Sequence, residues 1–142
     1  MDRRKFISTS CISCLGGGLM VSIVSGCGST RMVTAPISGS DMIVPLTHFE
    51  TKKGFKNYVV VQNEILQHPI CIYRFDENTF TALLMKCTHQ GAELQVFGDK
   101  LQCPAHGSEF NNHGKVEDGP AELALRTFPI LISDNQLKIS LK

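Results

Sequence analysis

The sequence predicts an all-β protein, a sandwich of small antiparallel sheets, and three observations predict it. From residue 42 onward, short runs rich in β-branched and aromatic residues recur along the chain. Several are separated by turn residues in numbers that suit hairpins: Asp76-Glu77-Asn78, Gly98-Asp99 and Ser133-Asp134-Asn135. No stretch of the same region carries a long helical stripe, and strands so spaced belong to a small sandwich or barrel.

In order, the runs are residues 57–62, with Tyr58, Val59, Val60 and Val61; 69–75, with Ile70, Ile72, Tyr73 and Phe75; 79–85, with Phe80, Leu83, Leu84 and Met85; 94–97; 100–102; 128–132; and 136–141. Cys71 falls inside the second run between Ile70 and Ile72, which assigns its thiol to packing rather than reactivity. The whole chain, 142 residues, has material for one domain of ordinary size. Its 14 basic and 13 acidic side chains nearly cancel, which leaves no electrostatic footprint for a phosphate backbone and excludes nucleic acid as a partner.

Six cysteines would suit a disulfide-stapled module, but their placement argues against it. Cys11, Cys14 and Cys27 lie near the start and Cys71, Cys87 and Cys103 in the body, so an odd number on each side cannot pair cleanly. The opening bases Arg3, Arg4 and Lys5, followed by an uncharged stretch, read as an export signal over residues 1–26. Its strongest apolar run, residues 19–24, is short for a bilayer span, which makes a permanent transmembrane helix the second choice. Arg3-Arg4 resembles the twin-arginine signal, whose pathway carries folded proteins, although Asp2 and Ser8 depart from its usual pattern.

Val24-Ser25-Gly26-Cys27 resembles the lipobox of bacterial lipoproteins, which implies lipid on Cys27 and a mature chain anchored to a membrane without spanning it. Residues 27–41, rich in Gly, Ser and Thr, read as a flexible linker. A flexible tether of that length has an end-to-end distance of roughly 20 Å, enough for a domain over residues 42–142 to meet more than one partner.

The chemistry lies in two boxes, Cys87-Thr88-His89-Gln90-Gly91 and Cys103-Pro104-Ala105-His106-Gly107-Ser108. Each supplies one sulfur donor and one imidazole donor followed by a glycine, and both follow strand-like runs that can present them together. Sulfur with nitrogen suits zinc or iron–sulfur chemistry, and a glycine beside a ligand lets backbone N–H groups approach sulfur without a Cβ in the way.

The pair of boxes resembles the Rieske [2Fe-2S] family, in which two histidines replace two cysteines on one iron. The resemblance implies a Rieske-type sandwich of small antiparallel sheets with two cluster-binding loops. It also implies that Cys87 and Cys103 bind one iron and His89 and His106 the other. Gly119-Pro120-Ala121 looks like the proline-bearing loop that covers the cluster in quinol-oxidising relatives, so Pro120, with Gly91, Gly107 and Ser108, belongs to the surroundings of the cluster. A structural zinc site on the same four donors is the alternative; its protein would be colourless.

Histidine ligation leaves the oxidised cluster formally neutral, whereas four thiolates would leave it doubly negative, so the electron is accepted more readily, at roughly −150 to +300 mV. High-potential relatives add a Ser hydroxyl to a bridging sulfide, a Tyr hydroxyl to a ligand thiolate, and a disulfide between the loops. Here Ser108 is present, Phe110 stands where the Tyr would be, and Ala92 and Ala105 stand at the disulfide positions. Gln90 replaces the apolar residue usual beside the exposed histidine, which weakens direct quinol contact. His48, His68 and His113 fit no ligand spacing and read as surface or turn residues.

These features imply an electron carrier more than a stand-alone enzyme: a lipoprotein of the cell envelope facing the periplasm or exterior. Its partners would be redox proteins such as a cytochrome or a membrane oxidoreductase. A Rieske subunit of a quinol-oxidising complex and the ferredoxin of an oxygenase are the rivals. With one sulfur-directed donor kept and one lost, the midpoint potential is expected below the respiratory high-potential type and above the oxygenase ferredoxins. Protein-film voltammetry checks this, and Ser108→Ala should lower the potential further; a wild-type reading at the high-potential end near neutral pH contradicts it.

Overall fold

The computed structural model describes residues 31–142; the expected export signal with Arg3 and Arg4, and the expected lipobox with Cys27, lie outside the described residues. The strands are β1 (Met32–Thr34), β2 (Ile37–Ser38), β3 (Asp41–Pro45), β4 (Glu50–Thr51), β5 (Gly54–Phe55), β6 (Tyr58–Gln62), β7 (Ile70–Arg74) and β8 (Phe80–Leu84). They continue with β9 (Gln95–Phe97), β10 (Lys100–Gln102), β11 (Glu109–Asn111), β12 (Val116–Asp118), β13 (Thr127–Phe128), β14 (Ile130–Ser133) and β15 (Gln136–Ser140). A 3-10 turn, Leu46–Phe49, follows β3.

A central sheet in the order β1-β6-β7-β8-β13 lies between two four-stranded sheets, β12-β11-β10-β9 on one face and β14-β15-β3-β2 on the other. β4 and β5 form a separate hairpin. Side chains alternate across a strand, so Val59, Val61, Ile70, Ile72 and Ala82 join Met42, Val44, Leu137 and Ile139 in one core. Val60, Cys71, Tyr73 and Leu83 point the other way and join Leu94, Leu101 and Phe110 in a second. Burial on both faces explains why β6, β7 and β8 read as near-continuous apolar runs rather than as alternating ones. Each buried Leu or Ile contributes on the order of 1.5–3 kcal/mol.

The expected strands are present with small changes at their ends. The expected run 128–132 is divided at Pro129: Thr127–Phe128 pairs with β8, and Ile130–Ser133 pairs with β15. Proline has no N–H for a ladder and marks the switch between sheets, while its carbonyl accepts from Ser140 N–H at 2.9 Å. The β14–β15 hairpin turns through Asp134 and Asn135, both left-handed (φ 52° and 59°), as a two-residue type I′ turn requires. β11 and β12, three-residue strands with one apolar residue each, had no pattern by which to be seen in the sequence.

The linker expected over residues 27–41 is corrected in its described part. β1 adds to the edge of the central sheet in parallel with β6, with Met32 opposite Val60 and Thr34 opposite Gln62. Ala35 is buried, its N–H donates to Gln62 C=O, and Asn63 Nδ2 donates to Ala35 C=O. Composition marks this segment as loop, but sheet-edge hydrogen bonds need only a backbone, and they begin the domain some ten residues earlier than expected.

Cys71, Cys87 and Cys103 are all free thiols. Cys71 is fully buried, and burial pushes its thiol up to about 12 from 9.0. The Tyr73 hydroxyl lies on the same face but makes no hydrogen bond of proper geometry, so burial sets the direction. A thiol that stays protonated in the fold and ionises when unfolded supports the fold fully below pH 9, and that support falls away as pH rises from 9.0 towards about 12. Cys71 is therefore expected to resist iodoacetamide in the folded protein at pH 8 and to react on denaturation; modification at Cys71 under native conditions, read by mass, contradicts this burial.

Candidate metal centre

The site sits at one end of the sheet β12-β11-β10-β9, and strand register puts it there. Gln102 is opposite both Gln95 and Glu109, so the segment entering β9 and the segment joining β10 to β11 emerge side by side. The first carries Cys87–Ala92 and the second Cys103–Ser108.

The two segments close in the same way. Cys87 N–H donates to Ala92 C=O at 2.8 Å, and Gly91 N–H donates back to Cys87 C=O at 2.8 Å. Cys103 N–H donates to Ser108 C=O at 2.8 Å, and Gly107 N–H donates back to Cys103 C=O at 3.0 Å. Each turn needs a left-handed residue at its fifth position, supplied by Gly91 (φ 80°) and Gly107 (φ 82°).

The four expected donors are brought together as two pairs. Cys87 and Cys103 are each 2% exposed and belong to the same buried cluster. His89 and His106 stand at the surface, their rings 5.0 Å apart and nearly perpendicular at 87°. Burial works to raise the Cys103 thiol, but N–H groups of His106 and Ala105 and the Cys87 side chain aim at the sulfur, and the net direction is down. Backbone N–H groups directed at sulfur are what a thiolate ligand requires. Among the described residues, no three thiol, imidazole or carboxylate groups converge on one point. A pair of sulfurs inside and a pair of nitrogens outside fits two irons better than one tetrahedral zinc.

Ser108 is fully buried, and its Oγ accepts from Ala121 N–H at 3.0 Å. That bond uses a lone pair and leaves the hydroxyl hydrogen free to donate elsewhere. Phe110, also fully buried, offers no donor where the sequence lacks the tyrosine. The Gly119–Pro120 peptide is cis. Beyond it, the Thr88 hydroxyl donates to Leu123 C=O at 2.7 Å.

Three contributors were not legible in the sequence. His68, read as a surface or turn residue, has Nε2 3.1 Å from Gly91 C=O; a carbonyl only accepts, so this nitrogen carries the proton. Thr88, given no role by the sequence, donates its hydroxyl to Leu123 C=O. Gly114 (φ 81°) lies where a Cβ would come within 2.8 Å of Leu83 Cδ2, so the β11–β12 hairpin can lie on the central sheet only without a side chain there. No local signal marks the first two, because their partners lie 23 and 35 residues away. By contrast, His113 stacks on Phe75 at 4.8 Å, and His48 lies in the 3-10 turn.

Gly107→Ala and Gly114→Ala separate backbone from packing. Nothing lies within 4 Å of a Cβ at Gly107, so its cost is the left-handed backbone alone, about 1–2 kcal/mol. Gly114→Ala adds the clash with Leu83, roughly 1–3 kcal/mol more. Denaturant unfolding of the two variants should rank them in that order.

The family model of the Rieske [2Fe-2S] domain matches residues 47–129. The cytochrome b6-f complex iron-sulfur subunit of Trichodesmium erythraeum is 31% identical, with 96% of this chain and 83% of that one aligned. The corresponding subunit of Cyanothece sp. strain PCC 7425 is 36% identical over 60% of this chain, a segment that makes up only 42% of that protein's length. The ferredoxin of carbazole 1,9a-dioxygenase from Nocardioides aromaticivorans superposes with a TM-score of 0.53 over 72% of this chain and 99% of the ferredoxin, at 18% identity, which speaks for the fold alone. With the family model covering more than half of the sequence and its two boxes folded as matching turns, the chain belongs to the Rieske [2Fe-2S] domain family, and its cofactor is a [2Fe-2S] cluster of the Rieske type.

Proposed function

We propose that the protein is a single-electron carrier in which Cys87 and Cys103 bind one iron and His89 and His106 the other, held to a membrane by lipid on Cys27. What supports it most is the division of the four donors, thiols dry and imidazoles at the surface, 5.0 Å apart. When bound, the cluster takes up and returns one electron at a potential in the range roughly −150 to +300 mV. Buried Cys87 and Cys103 keep water from the sulfurs, and His89 and His106 present the edge that a redox partner can touch. Ser108, one lone pair occupied by Ala121 N–H, keeps a hydroxyl hydrogen that would favour the reduced state by donating to a cluster sulfide.

The register also bears on the tether. Val61, Ile70 and Leu84 lie side by side, and Cys87 follows beyond Leu84. β1 runs towards that same end, so the chain enters it from the end opposite the histidines. A lipid on Cys27 would then hold the domain by its far side, with the histidines facing away. From Cys27 to Arg31 four extended residues reach at most about 14 Å, a shorter leash than composition suggested. The site faces the periplasm or cell exterior, where the partner would be a cytochrome or a membrane oxidoreductase.

A second reading, a subunit of a quinol-oxidising complex, is favoured by the relatives from Trichodesmium and Cyanothece, which are subunits of the cytochrome b6-f complex. Exposed Gln90 beside His89 weighs against quinol contact. Cluster-loaded protein extracted from membranes should show an acylated Cys27 by mass and should be reoxidised by a soluble c-type cytochrome in one-electron steps without quinol. Inhibitor-sensitive quinol oxidation that tracks the cluster would instead assign the second reading, and an unmodified Cys27 would remove the lipid.

A further inference from the structure

We propose that the β4–β5 hairpin is a second membrane contact, which rests on an anionic phospholipid surface and keeps the histidines turned away from it; this builds on the lipid-tether reading above. The hairpin stands apart from the three larger sheets, and its four strand residues, Glu50, Thr51, Gly54 and Phe55, are all exposed. None of them belongs to either core. What the hairpin displays is a basic tip: Lys52 and Lys53 form its turn, and Lys56 follows Phe55 at the end of its second strand. Three exposed lysines stand against one acid, Glu50, and among the described residues none of the three pairs with a carboxylate.

The place of the hairpin in the fold points to its occupant. Asn57 leads from the hairpin into β6 at Tyr58, and β6 runs from there towards the end that carries Cys87. β1 runs alongside β6 in the same direction, so Arg31 and the hairpin lie at one end and the histidines at the other. With lipid on Cys27, a leash of at most about 14 Å keeps the hairpin end close to the headgroups. The screening length is roughly 10 Å at 0.1 M salt, so the lysines come within the field of an anionic leaflet. There each one strengthens binding about fivefold. Glu77 and Asp99, in other turns at that end, offset part of the charge, which concentrates the attraction at the hairpin tip.

The hairpin is seated firmly enough to act as a strut. Lys56 N–H donates to Phe49 C=O at 2.7 Å, and Phe49 is fully buried with its ring edge-on to Phe80 at 5.5 Å. The Arg74 guanidinium lies 4.4 Å over the Phe55 ring. Phe55 still keeps 40% of its surface exposed beside the lysines. An exposed aromatic ring among cations suits the boundary between headgroups and acyl chains, where the ring enters and the ammonium groups stay with the phosphates. A lipid alone lets the domain swivel about one point. A second contact fixes which end faces the solvent.

The chain has no tryptophan, so the indole in Phe55→Trp reports on this position alone. The cluster-loaded full chain carrying Phe55→Trp is mixed with vesicles of phosphatidylcholine and phosphatidylglycerol, or of phosphatidylcholine only. Emission should shift to the blue on the anionic vesicles and be quenched by bromine on their acyl chains, and added salt should reverse both effects. Adding Lys52→Gln and Lys53→Gln should lower the ratio of shifted to unshifted emission about 25-fold, roughly fivefold for each lysine. A second readout needs no substitution: in the wild-type chain, acetylation by an activated ester, followed by mass, should slow several-fold at Lys52, Lys53 and Lys56 on anionic vesicles. It should stay unchanged at Lys86, which lies at the histidine end. An indole that keeps its aqueous emission on anionic vesicles, with the three lysines acetylated at their free rate, overturns the hairpin contact. So does an equal shift on phosphatidylcholine only, or on soluble polyglutamate, which would assign the lysines to an acidic protein. An unmodified Cys27 in protein extracted from membranes, with the shift intact, removes the lipid tether and leaves the hairpin contact standing.

Discussion

The structure depends on one constraint: two thiols must be kept dry and two imidazoles wet within a few ångströms of each other. Both boxes meet it by folding into the same short turn, closed by an N–H from the cysteine across to the sixth residue and by a glycine N–H back to the cysteine carbonyl. Closing the turn drives the cysteine into the core and lifts the histidine out. The histidine stands two places after the cysteine in the first turn and three in the second, so equivalent turns present non-equivalent imidazoles, and their rings meet edge to face. The glycines are obligatory because the turn reverses through the left-handed region.

Everything beneath the turns serves to hold their bases still. The central sheet is apolar on both faces and ties the sheet β12-β11-β10-β9 to the rest of the protein. Cys71, at its centre, is an inert packing group directly below the layer that contains Cys87 and Cys103. At the rim, Lys100 pairs with Glu117 at 2.7 Å and with Glu109 at 3.4 Å across β10, β11 and β12, but these side chains are well exposed and such pairs contribute little. Rigidity comes from burial: Leu94, Leu101 and Phe110 have almost no exposed surface.

Legibility in the sequence followed the range of the forces involved. β6, β7 and β8 were visible because branched and aromatic residues are concentrated where both faces are buried, and β15 because Leu137 and Ile139 alternate with less buried residues over one buried face. The hairpin at Asp134 and Asn135 was visible because its turn chemistry is local. β1 was invisible because an edge strand of Met, Val and Thr after a Gly- and Ser-rich stretch has the composition of a linker, and only the edge of β6 makes it a strand. β11 and β12 were invisible because a single apolar residue in three, Phe110 in one and Val116 in the other, carries no period.

By itself the sequence determined the chemistry: which atoms can bind metal, that they come in two matching boxes, and that the body is a set of short strands. Donor type and local spacing are covalent properties, and hydrophobic burial along a strand is written residue by residue. Only the tertiary structure decided the division into inner sulfurs and outer nitrogens, the support that His68 gives Gly91, and the bonds by which Thr88 and Ser108 grip the covering loop. Those partners are separated by between 13 and 35 residues, and a hydrogen bond over such a distance exists only once packing has brought its two ends together.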